Sequence, residues 1–319
     1  MEKLEEVYQK VSAIMAPHDV YLVGGCCRDA LLGKEPHDWD GCTAASPEDI
    51  EVAVRAAGRR PYLAGARFGT VGFKVQLDSG EWIMAELTTF RKEVYEPNNR
   101  KPSVEFIDDL REDLSRRDVT IGAIAYKEGV FIDPFGGHLD LIAKKVKPVG
   151  DGNTRIKEDG LRMLRAARLA AQLGFEVDAN FIGVIRKHAY RISTVSRERW
   201  CQELDKLLVA SHAEYGIAVL LDTGIMKYIL PEVYAMMDHP GIAADTLESL
   251  RSTVDKADAR WAALLMDVGK PYVAQTKRDK TTYPHYEQVS AEIAAGIAWR
   301  LKWSRERREN VVAAVKRGW

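Results

Sequence analysis

The sequence has no run of about 18 consecutive apolar residues, the length a helix needs to cross a bilayer. Its first ten residues, MEKLEEVYQK, are charged, with no apolar stretch behind them. Neither a membrane span nor a secretory leader is therefore expected, and a cytoplasmic location follows. Cysteine is scarce. The four present (Cys26, Cys27, Cys42 and Cys201) form no CxxC pair and no zinc-ligand spacing, so buried, reduced thiols are expected and disulfides are not. An excess of either charge is missing as well. Lys+Arg number 46 against 47 Asp+Glu, and the net of −1 excludes a chain that coats nucleic acid indiscriminately, because such binding rests on many cationic contacts to phosphate. Two basic clusters remain: Arg186, Lys187, Arg191, Arg197 and Arg199, and then Lys302, Arg305, Arg307, Arg308, Lys316 and Arg317. Each reads either as a local patch for an anionic partner or as a solvated helix face. No internal repeat or low-complexity linker is visible.

With 319 residues, 46% of them hydrophobic, the chain can bury real cores, and two or three domains are expected. Leu4, Val7, Val11, Ile14 and Met15 recur at helical spacing, and Pro17 stops that helix before DVYLVGG, a strand ending in a glycine turn. CRDALL continues as helix. Ser46-Pro47-Glu48 opens another helix with a serine N-cap and a proline in the first turn. Residues 70–77 and 81–90 read as strands joined by the turn Asp78-Ser79-Gly80. After Gly150 the pattern becomes helical almost without interruption, with helices expected over 158–175, 197–210 and 261–269. The chain is thus α+β: a head around a small mixed sheet, followed by an all-helical remainder.

The stretch LVGGCCRDALLGKEPHDWDG, residues 22–41, concentrates the chemistry. In an extended segment, residues two apart share a face, so Asp38 and Asp40 present two carboxylates side by side. Two such carboxylates repel and raise each other's pKa unless cations sit between them. Magnesium meets that need, since it takes hard oxygen ligands and completes its shell with substrate phosphates. Gly24 and Gly25 let backbone N–H groups approach a phosphate, the following helix start favours an anion, and Arg28 can add a charge-assisted contact. The joint picture is a nucleoside triphosphate laid between a glycine turn and two metals, attacked in line by a hydroxyl at the α-phosphate. A surface turn is the other reading of the two aspartates taken alone.

These residues resemble motif A of the class II tRNA nucleotidyltransferases and bacterial poly(A) polymerases, members of the polymerase-β superfamily. The resemblance continues in order through AELTTFRKEVYEPNNRKPSVEF, similar to the family's flexible-loop region, and DLSRRDVTIGAIAY, similar to its ribose-binding motif. It then runs through IDPFGGHLDL, RIKEDGLRMLRAARLAAQLGF (the nucleobase-binding motif) and SRERWCQELDKLL, the helix that supports that motif. It implies a polymerase-β-like head over 1–145, a helical neck over 146–210 and a helical body over 211–319. By resemblance Asp38 and Asp40 hold catalytic Mg2+, Gly24, Gly25 and Arg28 address the triphosphate, and Arg116 and Asp118 read ribose and phosphate. Glu86 is a candidate third carboxylate, with a surface or arginine-paired glutamate as the alternative. Asp159 and Arg162, three apart on an expected helix, present an acceptor beside donors. That order matches the exocyclic amine and ring nitrogen of cytosine and adenine. Uracil and guanine reverse it and leave buried groups unpaired, at roughly 1–3 kcal/mol each. Arg165, further round the helix, is expected to orient Asp159 or face the phosphates.

The implied activity is CCA addition: transfer of CMP, CMP and AMP from CTP and ATP to the tRNA 3′ end. The alternatives are a poly(A) polymerase or A-adding enzyme of the same family and, from another class, a non-catalytic tRNA-binding protein. The retained loop KEVYEPNNRKP (92–102) favours addition of the terminal A. Gly122 stands where the family commonly has asparagine, which puts ribose selection in question. The segments ADTLESL, ALLMDVGKP and TTYPHYEQVSAEIA resemble an HD-type phosphohydrolase. However, Asp245 and Met266 replace its histidines and only Asp267 and His285 match, so a scaffold without hydrolase activity is expected.

Overall fold

Helix α1 (Glu2–Met15) buries Leu4, Val7, Tyr8, Val11 and Met15, the stripe its spacing announces. The computed structural model describes residues 1–94, 103–278 and 280–318, and divides into two compact units, Met1–Glu158 and Asp159–Trp319.

In the first unit, α1 is followed by β1 (Val20–Val23), α2 (Gly25–Leu31), β2 (Trp39–Thr43) and α3 (Pro47–Ala56). Helix α3 starts as expected: Ser46 accepts from the Asp49 N–H, Asp49 accepts from the Ser46 N–H, and Pro47 fills the first turn. Strands β3 (Thr70–Gln76) and β4 (Trp82–Thr89) form the expected antiparallel pair. Next come β5 (Arg91–Val94), paired with β6 (Ser103–Phe106), then α4 (Leu110–Ser115), β7 (Ala125–Lys127), β8 (Val130–Ile132), α5 (Gly137–Ile142) and α6 (Gly152–Glu158).

Six strands make one sheet in the order β3-β4-β2-β1-β7-β8. The β2–β4 pair is parallel and the others are antiparallel, so the sheet is mixed. Alternation fixes its faces. Val71, Phe73, Val75, Ile83, Ala85 and Leu87 are buried on the side where α1 and α3 pack. On the opposite side a second cluster (Val23, Cys42, Phe90, Leu114, Ala123, Ala125 and Val149) covers the end nearest β1 and β7. The even-numbered residues of β3 and β4 from Lys74 to Gln76 and from Trp82 to Glu86 stay exposed.

The first unit runs past the expected boundary at residue 145. Helix α6 stays with it because Arg155 donates to the Ser115 carbonyl (2.8 Å) and pairs with Glu158 (2.6 Å).

The second unit is helical: α7 (Leu161–Leu173), α8 (Ala179–His188), α9 (Arg197–Leu208), α10 (Ala213–Asp222), α11 (Met226–Ile229), α12 (Pro231–Met237), α13 (Pro240–Ser252), α14 (Ala257–Leu265), α15 (Lys270–Val273), α16 (Tyr286–Arg300) and α17 (Arg305–Arg317). One short hairpin, Gln275–Lys277 with Lys280–Thr282, interrupts it. Residues 159–210 of the expected neck and the expected body, 211–319, fall in this one unit. Trp261 is fully buried, meets Trp303 edge-on at 5.0 Å and donates to Asp205 (2.6 Å).

The four cysteines are buried and free, as expected. Burial pushes the thiols of Cys27, Cys42 and Cys201 up, which keeps them protonated and unreactive. Among the described residues no helix is long and apolar enough to cross a membrane.

Candidate active site

The chain leaves β1 through Gly24, whose φ of +77° and ψ of −125° lie where only glycine is comfortable. A side chain there would also meet the Arg117 guanidinium at 3.0 Å. The turn is held by a hydrogen bond from the Gly24 N–H to the Ile124 carbonyl (3.2 Å). Gly25 then begins α2, and Arg28, one turn on, pairs with Asp29 (2.7 Å) while its guanidinium folds back toward Gly25.

Strand β2 lies beside this turn. Leu22 pairs with Gly41 across the β1–β2 ladder, which brings Asp40 level with the last residue of β1. Trp39 is buried and its neighbours Asp38 and Asp40 are both exposed, so the two carboxylates share the open side as expected. On the other flank Asp40 is the direct register partner of Glu86 in β4. Surrounding atoms deprive the Asp40 carboxyl of hydration and raise its pKa, although part of the residue meets solvent. Arg117 opposes the rise, and the charges of Glu86 and Asp38 add to it. Among the described residues, none of these three side chains makes a hydrogen bond or an ion pair.

A carboxylate pair that makes no hydrogen bond or ion pair among the described residues, beside a glycine turn, fits a divalent cation. No three acidic, histidine or cysteine side chains among the described residues form a ready-made metal cage. The two aspartates offer carboxylate oxygens, the donor type that hard divalent cations take.

Arg116 and Asp118 flank the residue that sequence reasoning passed over. Arg116 is turned onto the fully buried Asp113, with Nε at 3.0 Å and Nη2 at 2.9 Å from Oδ1. Arg117, between them, reaches the Gly122 carbonyl at 3.4 Å and stands closest to Gly24. In sequence the RRD triplet gives no sign of which arginine faces the turn; only the fold decides it. Gly122 itself has room for a side chain, since an added Cβ would meet only Val119 at 3.7 Å.

In the second unit the expected helix over 158–175 is broken. Helix α7 starts at Leu161, and Asp159 precedes it. Gly160 itself keeps helical angles (φ −60°, ψ −20°), and its lack of a side chain lets it abut the Arg191 carbonyl, where a Cβ would come within 2.9 Å. Asp159 thus lies in the turn ahead of α7 rather than inside it, and its carbonyl accepts from the Arg162 N–H (3.1 Å). The Asp159 carboxylate instead accepts from the Leu161 N–H (2.9 Å) and from Arg199 of α9 (2.6 Å), while Arg162 is buried. Arg165 lies 3.4 Å from Glu203, which also takes Arg168 at 2.6 Å. Orientation of Asp159 therefore falls to Arg199, a residue sequence reasoning placed only in a basic cluster.

Several other members of the basic clusters are also spent internally. Arg186 forks onto Asp222, and Arg307 onto Asp205 (2.7 and 2.8 Å).

The HD-like segment places Asp267 in a buried position where the Lys270 ammonium sits 2.8 Å away, itself 5.0 Å from the Tyr286 ring centroid. A lysine thus occupies the cationic position beside that carboxylate. Met266 ends α14, and His285 heads α16. Of the loop 92–102, residues 95–102 lie outside the described residues. A hollow of about 790 Å³ between α1 and the β3–β4 turn is lined by Glu2, Glu5, Glu6, Asp78 and Glu81 against the single cationic side chain of Lys3, a negative excess that repels phosphate.

Residues 20–147 match the family of the Poly A polymerase head domain. Residues 174–237 match the probable RNA and SrmB-binding site of polymerase A. The chain is 38% identical over 235 residues to the CCA-adding enzyme of Levilactobacillus brevis, which covers 72% of this chain and 57% of that protein. It is 36% identical over 267 residues to the CCA-adding enzyme of Streptococcus thermophilus, covering 83% and 63%. The chain thus spans about 57–63% of these curated relatives. Among solved structures, the Bacillus stearothermophilus CCA-adding enzyme in complex with CTP is similar over 100% of this chain and 79% of its own, with 27% identity and a TM-score of 0.68. A tRNA nucleotidyltransferase complexed with a primer tRNA and an incoming ATP analog is similar over 77% and 70%, with 26% identity and a TM-score of 0.57.

Proposed function

Because this chain belongs to the family of class II CCA-adding enzymes and poly(A) polymerases, we propose that it transfers CMP, CMP and AMP in turn from CTP and ATP to the 3′ end of tRNA. The observation that carries the reading is the row formed by Gly24, Asp40 and Glu86 across β1, β2 and β4. It sets a phosphate seat beside carboxylates that form no ion pair among the described residues, with Arg117 acting on Asp40 through its charge alone.

The Gly24 turn and the start of α2 receive the triphosphate, with Arg117 and Arg28 facing its charge. Asp38 and Asp40 would hold magnesium. When bound, the metal supplies activation of the attacking hydroxyl and neutralisation of charge on the α-phosphate and pyrophosphate. The tRNA 3′-hydroxyl gives up its proton to solvent as its oxygen bonds to the α-phosphorus, the bond to pyrophosphate breaks and pyrophosphate leaves, and the carboxylates keep the hydroxyl and phosphate aligned. Asp118 accepts from the ribose, and Arg116 keeps the segment in place through Asp113. Asp159 and Arg162 read the base, with Arg199 fixing the aspartate. The Asp267–Lys270 pair leaves the HD-like segment as scaffold, and the reaction belongs in the cytoplasm.

Replacing Asp38 and Asp40 with alanine tests the assignment. Incorporation of labelled CMP into tRNA lacking its CCA end should vanish while tRNA binding, followed by gel shift, stays within about twofold. Undiminished incorporation would refute the mechanism.

A further inference from the structure

The bare part of the sheet continues beyond the carboxylates. Met84 and Trp82 follow Glu86 on the same face of β4, at steps of about 7 Å along the strand. Lys74 is the register partner of Met84. Tyr62 pairs through its backbone with Gly72 at the outer edge, and the Met84 sulfur leans toward that pair. Met84 is 40% exposed, Tyr62 41% and Trp82 50%, and together they make a contiguous apolar strip on this open face. It is edged by cations. Arg59 lies 5.1 Å over the Trp82 ring, and neither Arg59 nor Lys74 forms an ion pair among the described residues.

We propose that this strip seats the last nucleotides of the acceptor strand, Met84, Tyr62 and Trp82 taking base and ribose and Lys74 and Arg59 taking phosphates. The inference rests on the nucleotidyltransferase reading and deepens it. In-line displacement requires the attacking hydroxyl and the leaving pyrophosphate on opposite sides of the α-phosphorus. The sheet order puts the Gly24 phosphate seat on the β1 side of Asp40 and the strip on the β4–β3 side. A strand whose 3′-hydroxyl reaches Asp38 and Asp40 from opposite the triphosphate therefore lies over Met84. Stacking on exposed rings and thioether, with lysine and arginine alongside, is the chemistry that holds single-stranded RNA regardless of sequence.

The test is steady-state incorporation with Lys74→Glu, Trp82→Ala and the conservative Lys74→Arg. The KM for tRNA should rise roughly tenfold in the first two while the KM for CTP stays put, and Lys74→Arg should restore it. The same rise should appear with a short acceptor-stem hairpin, because the contact is local to the 3′ end. A primer carrying 4-thiouridine at its penultimate nucleotide should crosslink within residues 59–86. An unchanged tRNA KM in Lys74→Glu, an exposed position that leaves the fold intact, or a crosslink elsewhere in the chain would overturn the proposal. Absence of any incorporation by the unmodified protein would instead count against the functional reading.

Discussion

Replacing Asp40 with asparagine should stabilise the metal-free protein while abolishing turnover. Asp40 and Glu86 are register partners on adjacent strands, which lie about 4.8 Å apart. At roughly 5 Å, two like charges repel by about 0.8 kcal/mol in water and about 3 kcal/mol at an effective dielectric constant near 20. Both residues meet solvent, so screening favours the lower end, about 1 kcal/mol. Removing the Asp40 charge relieves its desolvation first, then that repulsion and the smaller one from Asp38, and gives up the attraction of Arg117; the raised pKa fixes the sign of the balance as a gain. For a unit of this size the gain corresponds to a melting temperature about 2–4 °C higher.

The pH dependence has a definite sign. The folded-state pKa of Asp40 is raised, by burial first. The folded state thus holds this proton more tightly than the unfolded chain. That contribution to stability is present below the unfolded pKa and is lost as pH rises through the folded one. The advantage of the asparagine variant should therefore grow from acid to neutral pH. Magnesium should reverse the order: at a hundred times its dissociation constant it adds about 2.7 kcal/mol to the wild type and little to the variant. Scanning calorimetry of both proteins in EDTA and in magnesium measures all of this. A variant that melts lower in EDTA, or that gains as much from magnesium as the wild type, would refute the reasoning.

Other consequences are simpler to state. Gly24→Ala forces a side chain into a φ of +77° and against Arg117, so a loss of about 1–3 kcal/mol in chemical denaturation and a raised KM for both nucleotides are expected. Gly160→Ala drives a Cβ into the Arg191 carbonyl and should destabilise the second unit by about 1–3 kcal/mol, read from urea melts. Arg199→Ala frees the Asp159 carboxylate. Steady-state kinetics should show CTP and ATP weakened about tenfold and discrimination against UTP and GTP reduced, with stability changed by less than about 1 kcal/mol. Gly122→Asn should fold normally, because the position has room, and should tighten nucleotide binding if an amide there meets the ribose.

What could be read from the sequence was local. The capping box at Ser46, the turn at 78–80 between two alternating strands and the stripe of α1 each follow from neighbours within a few residues. The placing of two carboxylates on one open side was legible for the same reason, since Asp38 and Asp40 share a short segment with the Gly24 turn. What escaped depends on partners far along the chain. Helical periodicity runs smoothly through Gly160, and the approach of the Arg191 carbonyl, 31 residues on, which only a glycine there allows, leaves no mark in it. Arg199 reaches Asp159 across 40 positions. Arg116 and Arg117 are equivalent as neighbours until Asp113 claims one of them more tightly.

The most direct measurement uses end-labelled tRNA lacking its last three nucleotides, supplied with CTP alone, ATP alone or both. The account predicts two added residues with CTP, none with ATP and three with both, after which synthesis stops. A tRNA already ending in CC should take a single A. Long runs of A, or addition of A to the fully trimmed end, would contradict the account.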